Sequence, residues 1–245
     1  MKIEKYKYIG LGKYKVLISG KEYIIYEDVI IKYNILSKNY IEEQDLKLFL
    51  KDNSYYEAYY LALKQINTKM RTPKEIIKIL EKKEYKQEII KSVVKKLQEE
   101  GYLSDKSYTK AYIYDQINLK NKGPIKIKKE LLQEGIDENL IDTELEIFTK
   151  SLQEDKIKKY IKTQINLNTN KSANMLKNKI LMSLIEKGYY KTDIENCLEA
   201  FKFDDSKIYQ KEYKKAYDKM SKKYTGTILE YKIKNYMYQK GFEVK

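Results

Sequence analysis

Lys120, Lys122, Lys126, Lys128 and Lys129 follow one another with no acid between them, and Glu130, Glu134, Asp137, Glu138, Asp142, Glu144 and Glu146 then follow with no base. Ammonium groups so grouped attract phosphate or carboxylate-rich surfaces, and a stretch segregated in this way can face two partners of opposite charge. The only arginine, Arg71, stands just before Thr72. There the like-signed end of a helix dipole repels it unless an anion is present, supplied by a partner or by an acid such as Glu75. Catalytic chemistry finds less support. The chain has no His and a single Cys, Cys197, which removes the imidazole base, the imidazole metal ligand and any paired-thiol site. Carboxylate, lysine or tyrosine chemistry is still open, but no spacing selects it. Cys197 reads as a small buried hydrophobe. The residues therefore point to a binding protein that needs no cofactor.

The elements that must position these charges repeat. PKEIIKILEKKEY (73–85), PIKIKKELLQEGI (124–136), LKNKILMSLIEKGY (176–189) and LEYKIKNYMYQKGF (229–242) end alike, and their terminal apolar residues Tyr85, Ile136, Tyr189 and Phe242 are spaced by 51, 53 and 53 residues. A period of this length marks stacked supersecondary units that cannot bury their apolar faces singly. Each unit reads as three amphipathic helices. In the first, Ala58, Leu61, Ala62 and Gln65 mark helix one, and Thr72 caps helix two with Pro73 at its first position and Glu75 closing a capping box. Ile89, Ile90, Val93, Val94 and Leu97 stripe helix three, which Gly101 stops. SYTKAYIYDQI, PIKIKKELLQEG and ENLIDTELEIF repeat the scheme, as do EDKIKKYIKTQI, NMLKNKILMSLIEKG and TDIENCLEAF. YQKEYKKAYDKM and TILEYKIKNYMYQKG supply two helices of a fourth unit.

Before the array, Lys5–Ile9, Lys13–Ile18 and Glu22–Tyr26 read as three antiparallel strands, with Ser19-Gly20 as a two-residue hairpin turn. EDVIIKYNIL and EEQDLKLFL follow as two short helices. The predicted fold is mainly α: tandem three-helix repeats forming an elongated curved array, with a small N-terminal antiparallel β element. Its expected parts are an extension over 1–53, repeats over 54–103, 104–150 and 151–203, and a partial repeat over 204–245. The tyrosines of residues 1–33 are expected to pack on the sheet, and Tyr102, Tyr189 and Phe242 within or between repeats.

The net charge of +14 is uneven: residues 1–50 carry +2, and the successive repeats carry +4, −1, +4 and +5. The excess thus belongs to the array, which suits contact with nucleic acid or nucleoprotein. The first ten residues, MKIEKYKYIG, contain no apolar export core, and no apolar run is long enough for a membrane span. Together with the lack of any cysteine pair, this leads us to expect a soluble cytoplasmic protein with no membrane partner.

The order YYEAYYLALKQINTKMRTPKEIIKILEKKEY, IIKSVVKKLQEEGYLSDKSYTKAYI, NKGPIKIKKELLQEGI resembles the bacterial RecX regulatory proteins. The matching signals are Arg71-Thr72 with Glu75, the Gly101–Asp105 turn, Lys122-Gly123-Pro124 and Gly135-Ile136. Residues 1–36 are similar to the extension of members from Gram-positive bacteria. The chain departs in offering Gln116 or Asn118 where the family often has Arg, and in carrying lysine where arginine is usual. Lysine keeps the attraction for phosphate but loses the bidentate fork. The resemblance implies a non-catalytic monomer that binds the RecA nucleoprotein filament on single-stranded DNA along its groove. It would inhibit strand exchange and ATP turnover in recombination and DNA repair. From their charge and position, Arg71, Lys122, Lys126, Lys128 and Lys129 are the expected contact residues, the alternatives being a solvated basic face for the lysines and an internal pair with Glu75 for Arg71. The residues alone also fit a stand-alone, sequence-independent nucleic-acid-binding repeat protein.

Overall fold

The computed structural model describes residues 1–243, so positions 244 and 245 of the fourth repeat lie outside the described residues. The chain divides into two compact units, residues 1–108 and 109–245. In the first, β1 (Ile3–Gly10), β2 (Lys13–Ile18) and β3 (Lys21–Tyr26) form an antiparallel sheet in the order β1-β2-β3. The β2–β3 turn is the expected one: Ile18 pairs with Lys21, and Ser19 and Gly20 both have positive φ, at 46° and 76°. Helices α1 (Glu27–Tyr33), α2 (Glu43–Thr68), α3 (Pro73–Glu81) and α4 (Gln87–Glu99) follow.

The two segments read as separate helices before and after residue 53 are one. α2 runs for 26 residues, about 39 Å at the α-helical rise. Its first half gives Leu46 and Phe49 to a core with Val16, Ile18, Ile25 and Val29. Its second half gives Ala58 and Ala62 to the three-helix core with Ile76, Leu80, Val93 and Leu97. Asp52-Asn53-Ser54 looks like a break because such short polar residues favour caps and turns. Here Asn53 has another role. Its amide oxygen accepts from the Tyr26 N–H at 2.9 Å and its amide nitrogen donates to the Ile24 carbonyl at 2.9 Å, so one side chain occupies the open edge of β3 as a neighbouring strand would. Of the early tyrosines, Tyr14, Tyr23, Tyr26 and Tyr33 pack as expected, whereas Tyr6 and Tyr8 are half exposed on the edge strand.

The second unit holds α5 from Thr109 onward (the helix spans Asp105–Asp115), α6 (Pro124–Gln133) and α7 (Glu138–Leu145). α8 (Lys150–Asn166), α9 (Ala173–Glu186) and α10 (Lys191–Glu199) pack on one another, and α11 (Ser206–Met220) packs on α12 (Gly226–Gln239). A π-helical turn, Gln116–Lys120, ends the first helix of its repeat and closes on Asn121 at φ 52°. Cys197 is buried, as expected.

The sequence period becomes a backbone period at the end of every second helix. Tyr85, Ile136, Tyr189 and Phe242 each donate an N–H to the helix, at Leu80, Leu131, Leu184 and Met237, over 3.1–3.3 Å. The residue before each is left-handed: Glu84 at φ 62°, Gly135 at 84°, Gly188 at 91° and Gly241 at 75°. This is the left-handed helix stop that glycine occupies without strain. Glu84 is the non-glycine in the series, so Glu84→Gly should raise stability by about 1 kcal/mol in urea unfolding. Gly188→Ala should cost several times the ~1 kcal/mol of Gly101→Ala. A Cβ on Gly188 falls 2.4 Å from the backbone nitrogen of Lys126, whereas one on Gly101 meets open space.

Candidate functional site

Thr72 is the buried N-cap of α3, and it forms the complete capping box with Glu75. Arg71 is folded into this cap rather than projecting from it. Its Nη1 donates to Glu75 Oε1 at 3.0 Å, and only 18% of its side chain is exposed. Lys69 reaches the same oxygen at 3.0 Å. Burial works to raise the Glu75 carboxyl, but hydrogen bonds from Lys69, Arg71 and the Thr72 N–H outweigh it and hold the group below the ordinary glutamate range.

The four lysines at the start of and along α6 divide. Lys122 donates to both Glu130 oxygens at 2.7 Å, and the Tyr112 hydroxyl donates to Glu130 at 2.7 Å. Against the upward push of burial, these donors keep the Glu130 carboxyl low. Lys128 meets Asp142 at 2.7 Å and Glu138 at 2.8 Å, and these acids raise its amine. The charges segregated in the sequence thus meet at these two positions, Lys122 with Glu130 of α6 and Lys128 with the acids of α7. Lys126 donates to the Glu186 carbonyl at 3.3 Å, at the end of α9. Lys129 is exposed and has no partner among the described residues. Arg71 lies in the first unit, the four lysines in the second.

What fixes α6 is the α9 terminus. The Gly123 N–H donates to the Lys187 carbonyl at 2.7 Å and the Ile125 N–H to the Gly188 carbonyl at 3.0 Å. These are amides left over at one helix start and carbonyls left over at another helix end. A Cβ on Gly123 would stand 2.3 Å from the Gly188 carbonyl carbon, so the approach requires glycine. Tyr189 is buried beside Phe148, and burial pushes its hydroxyl up to about 12. A related contact recurs one repeat later: the Ser172 hydroxyl, at the start of α9, donates to the Lys240 carbonyl at the end of α12, over 2.8 Å. Tyr189 and Phe242 are therefore packed as expected, while Tyr102 is 52% exposed.

Sequence reasoning missed a further set of lysines. Lys156 and Lys159 of α8 and Lys187 at the end of α9 border one cleft with Asn118, Asn121, Thr163 and Gln164. The spacing of Lys156, Lys159 and Thr163 on one helix face could have been read, but the arrival of Lys187 depends on packing. Among the described residues no helix is long and apolar enough to cross a membrane.

Tandem three-helix units define a helical-repeat protein. The profiles of two domains, "RecX, first three-helix domain" and "RecX, second three-helix domain", match residues 58–97 and 104–145. The chain is 34% identical over 232 residues to regulatory protein RecX of Bacillus cytotoxicus, which covers 92% of this chain and 86% of that protein. Regulatory protein RecX of Bacillus cereus gives the same identity and coverage. A crystal structure of regulatory protein RecX superposes with a TM-score of 0.66 at 26% identity, covering 79% of this chain and 97% of that one. RecX from Lactobacillus salivarius superposes at 0.56 with 28% identity, covering 61% and 97%. The chain belongs to the RecX family of regulatory proteins.

The capping cluster has a pH signature. A carboxyl held low in the folded state stabilises above its unfolded pKa and loses that contribution as pH falls through its folded value. Glu75→Gln should therefore cost about 1–2 kcal/mol at neutral pH, with the difference from the parent shrinking in acid. Urea unfolding at neutral pH and at pH ~3 checks this.

Proposed function

We propose that the protein regulates the RecA recombinase by binding its filament on single-stranded DNA, slowing strand exchange and ATP turnover. The observation that carries this reading is membership of the RecX regulatory family along 92% of the chain. The charge distribution supports it, since the repeats hold nearly all of the basic excess. Many individually weak lysine contacts on linked units sum to useful avidity. The protein acts as a cytoplasmic monomer and does no chemistry itself; it obstructs.

Within this reading Lys129 and Lys126 reach the partner directly. Lys122, Lys128 and Arg71 are contact residues that exchange an internal carboxylate for one on the partner, or for a phosphate. Exchange is inexpensive at Lys128, whose acids Glu138 and Asp142 are exposed and whose pairs contribute only about 0–1 kcal/mol, and costs more at Arg71 and Lys122, whose pairs are mostly covered.

The expected outcome is graded. Lys126→Gln/Lys129→Gln should unfold like the parent yet weaken inhibition of RecA-driven strand exchange and of filament ATP hydrolysis. Adding Lys122→Gln and Lys128→Gln should weaken inhibition further and flatten the salt dependence of filament binding by roughly one unit of slope for each phosphate no longer neutralised. Inhibition equal to the parent from all four, alongside reduced affinity for bare single strands, would instead assign these lysines to stand-alone nucleic-acid binding.

A further inference from the structure

The cleft between α8, the end of α9 and the π-helical turn has a volume of about 360 Å³. It is at the small end of the range for ligand sites, about 300–1,000 Å³. Three of its bordering residues are lysines and none is an acid. Lys156 is partly buried, and its amine donates to the Ile117 carbonyl at 2.7 Å. An ammonium has three donors, so two remain for a ligand. Lys187 lies over the Tyr160 ring, 5.7 Å from its centroid, while the Tyr160 hydroxyl is joined to Ser183 at 2.8 Å. Lys159 is exposed and has no partner among the described residues. The positive charge here, unlike that of Lys122 and Lys128, is not neutralised within the fold. Burial, then the neighbouring Lys159, depress the Lys156 amine, a cost that a bound anion would relieve.

The π-helical turn helps to make this site. Its Gln116 carbonyl accepts the N–H groups of Asn121 and, at 3.0 Å, of Lys122, its Ile117 carbonyl is left to Lys156, and it sets Asn118 and Asn121 at the rim. Amide groups from Asn118, Asn121 and Gln164 add neutral donors around the ammonium groups, while the Thr163 hydroxyl donates to the Lys159 carbonyl at 2.9 Å. Lysine ammonium groups bind phosphate oxygens as compact point charges, and three of them around one cleft suit a group that carries several acceptor oxygens.

We propose that this cleft, bordered by Lys156, Lys159 and Lys187, is a phosphate site that holds the backbone of single-stranded DNA. The proposal rests on the filament reading for the identity of the strand, but not for the chemistry of the site.

The test uses the full chain and a fluorescent oligo-thymidylate. Lys159→Gln/Lys187→Gln leaves the partly buried Lys156 in place, and Lys91→Gln/Lys106→Gln removes equal charge from exposed positions elsewhere. The cleft variant should lose roughly tenfold in low-salt affinity and about two units of salt slope, well beyond the control. Loss no greater than in the control overturns the proposal. Inorganic phosphate replacing chloride at constant ionic strength should compete only weakly, and tight competition would reassign the cleft to a free phosphate compound. RecA inhibition, followed in parallel, separates the two readings. A cleft variant that binds DNA normally but fails to inhibit places an acidic protein surface in the cleft and overturns the phosphate assignment. A parent that binds DNA through the cleft but does not inhibit RecA leaves the site standing and removes the filament reading.

Discussion

Every helix ends with amides and carbonyls that it cannot satisfy itself, and within the second unit the repeats satisfy these groups across a repeat boundary. The start of α6 takes carbonyls from the end of α9 through Gly123 and Ile125, and the start of α9 uses Ser172 on the carbonyl of Lys240. Positive and negative dipole ends are thus brought together. The side chains around each junction depend on this contact. Tyr189 is buried against Phe148 because Gly188 turns the chain at φ 91°, and Lys126 finds the Glu186 carbonyl because α9 ends beside it.

The first unit meets a different demand. A three-stranded sheet with one side free has an edge to protect, and it also needs an attachment to the array. α2 supplies both by spanning two cores and placing Asn53 against β3. Tyr60 strengthens the same seam. It stacks on Tyr26 with ring centroids 5.1 Å apart and donates to Asp28 at 2.8 Å, while burial first and Asp28 next push its hydroxyl up to about 12.

Local chemistry was legible in the sequence wherever the backbone demands particular residues. Ser19-Gly20 can turn a hairpin, Thr72-Pro73 with Glu75 can start a helix, and the recurring stop before Tyr85, Ile136, Tyr189 and Phe242 can be counted. The stop at Glu84 was found by its period although its residue type argues against it. What was illegible depends on distant partners. Asn53 resembles a helix break until the edge of β3 claims its amide. Lys128 looks free until α7 folds back with Glu138 and Asp142. Lys187 joins Lys156 and Lys159 only after α9 has been laid on α8. Charge pairing thus required tertiary structure where helix limits did not. Composition located the basic repeats, but it could not tell which ammonium groups were already occupied.

The α6–α9 junction joins main chain to main chain, and two glycines are the only residues it strictly specifies. Surface positions elsewhere are not bound by this joint, so lysine can stand there in place of arginine without altering the main-chain contact. A chain rich in lysine, isoleucine and tyrosine can carry the same joint as long as these two glycines are kept, because its hydrogen bonds are made by main-chain atoms.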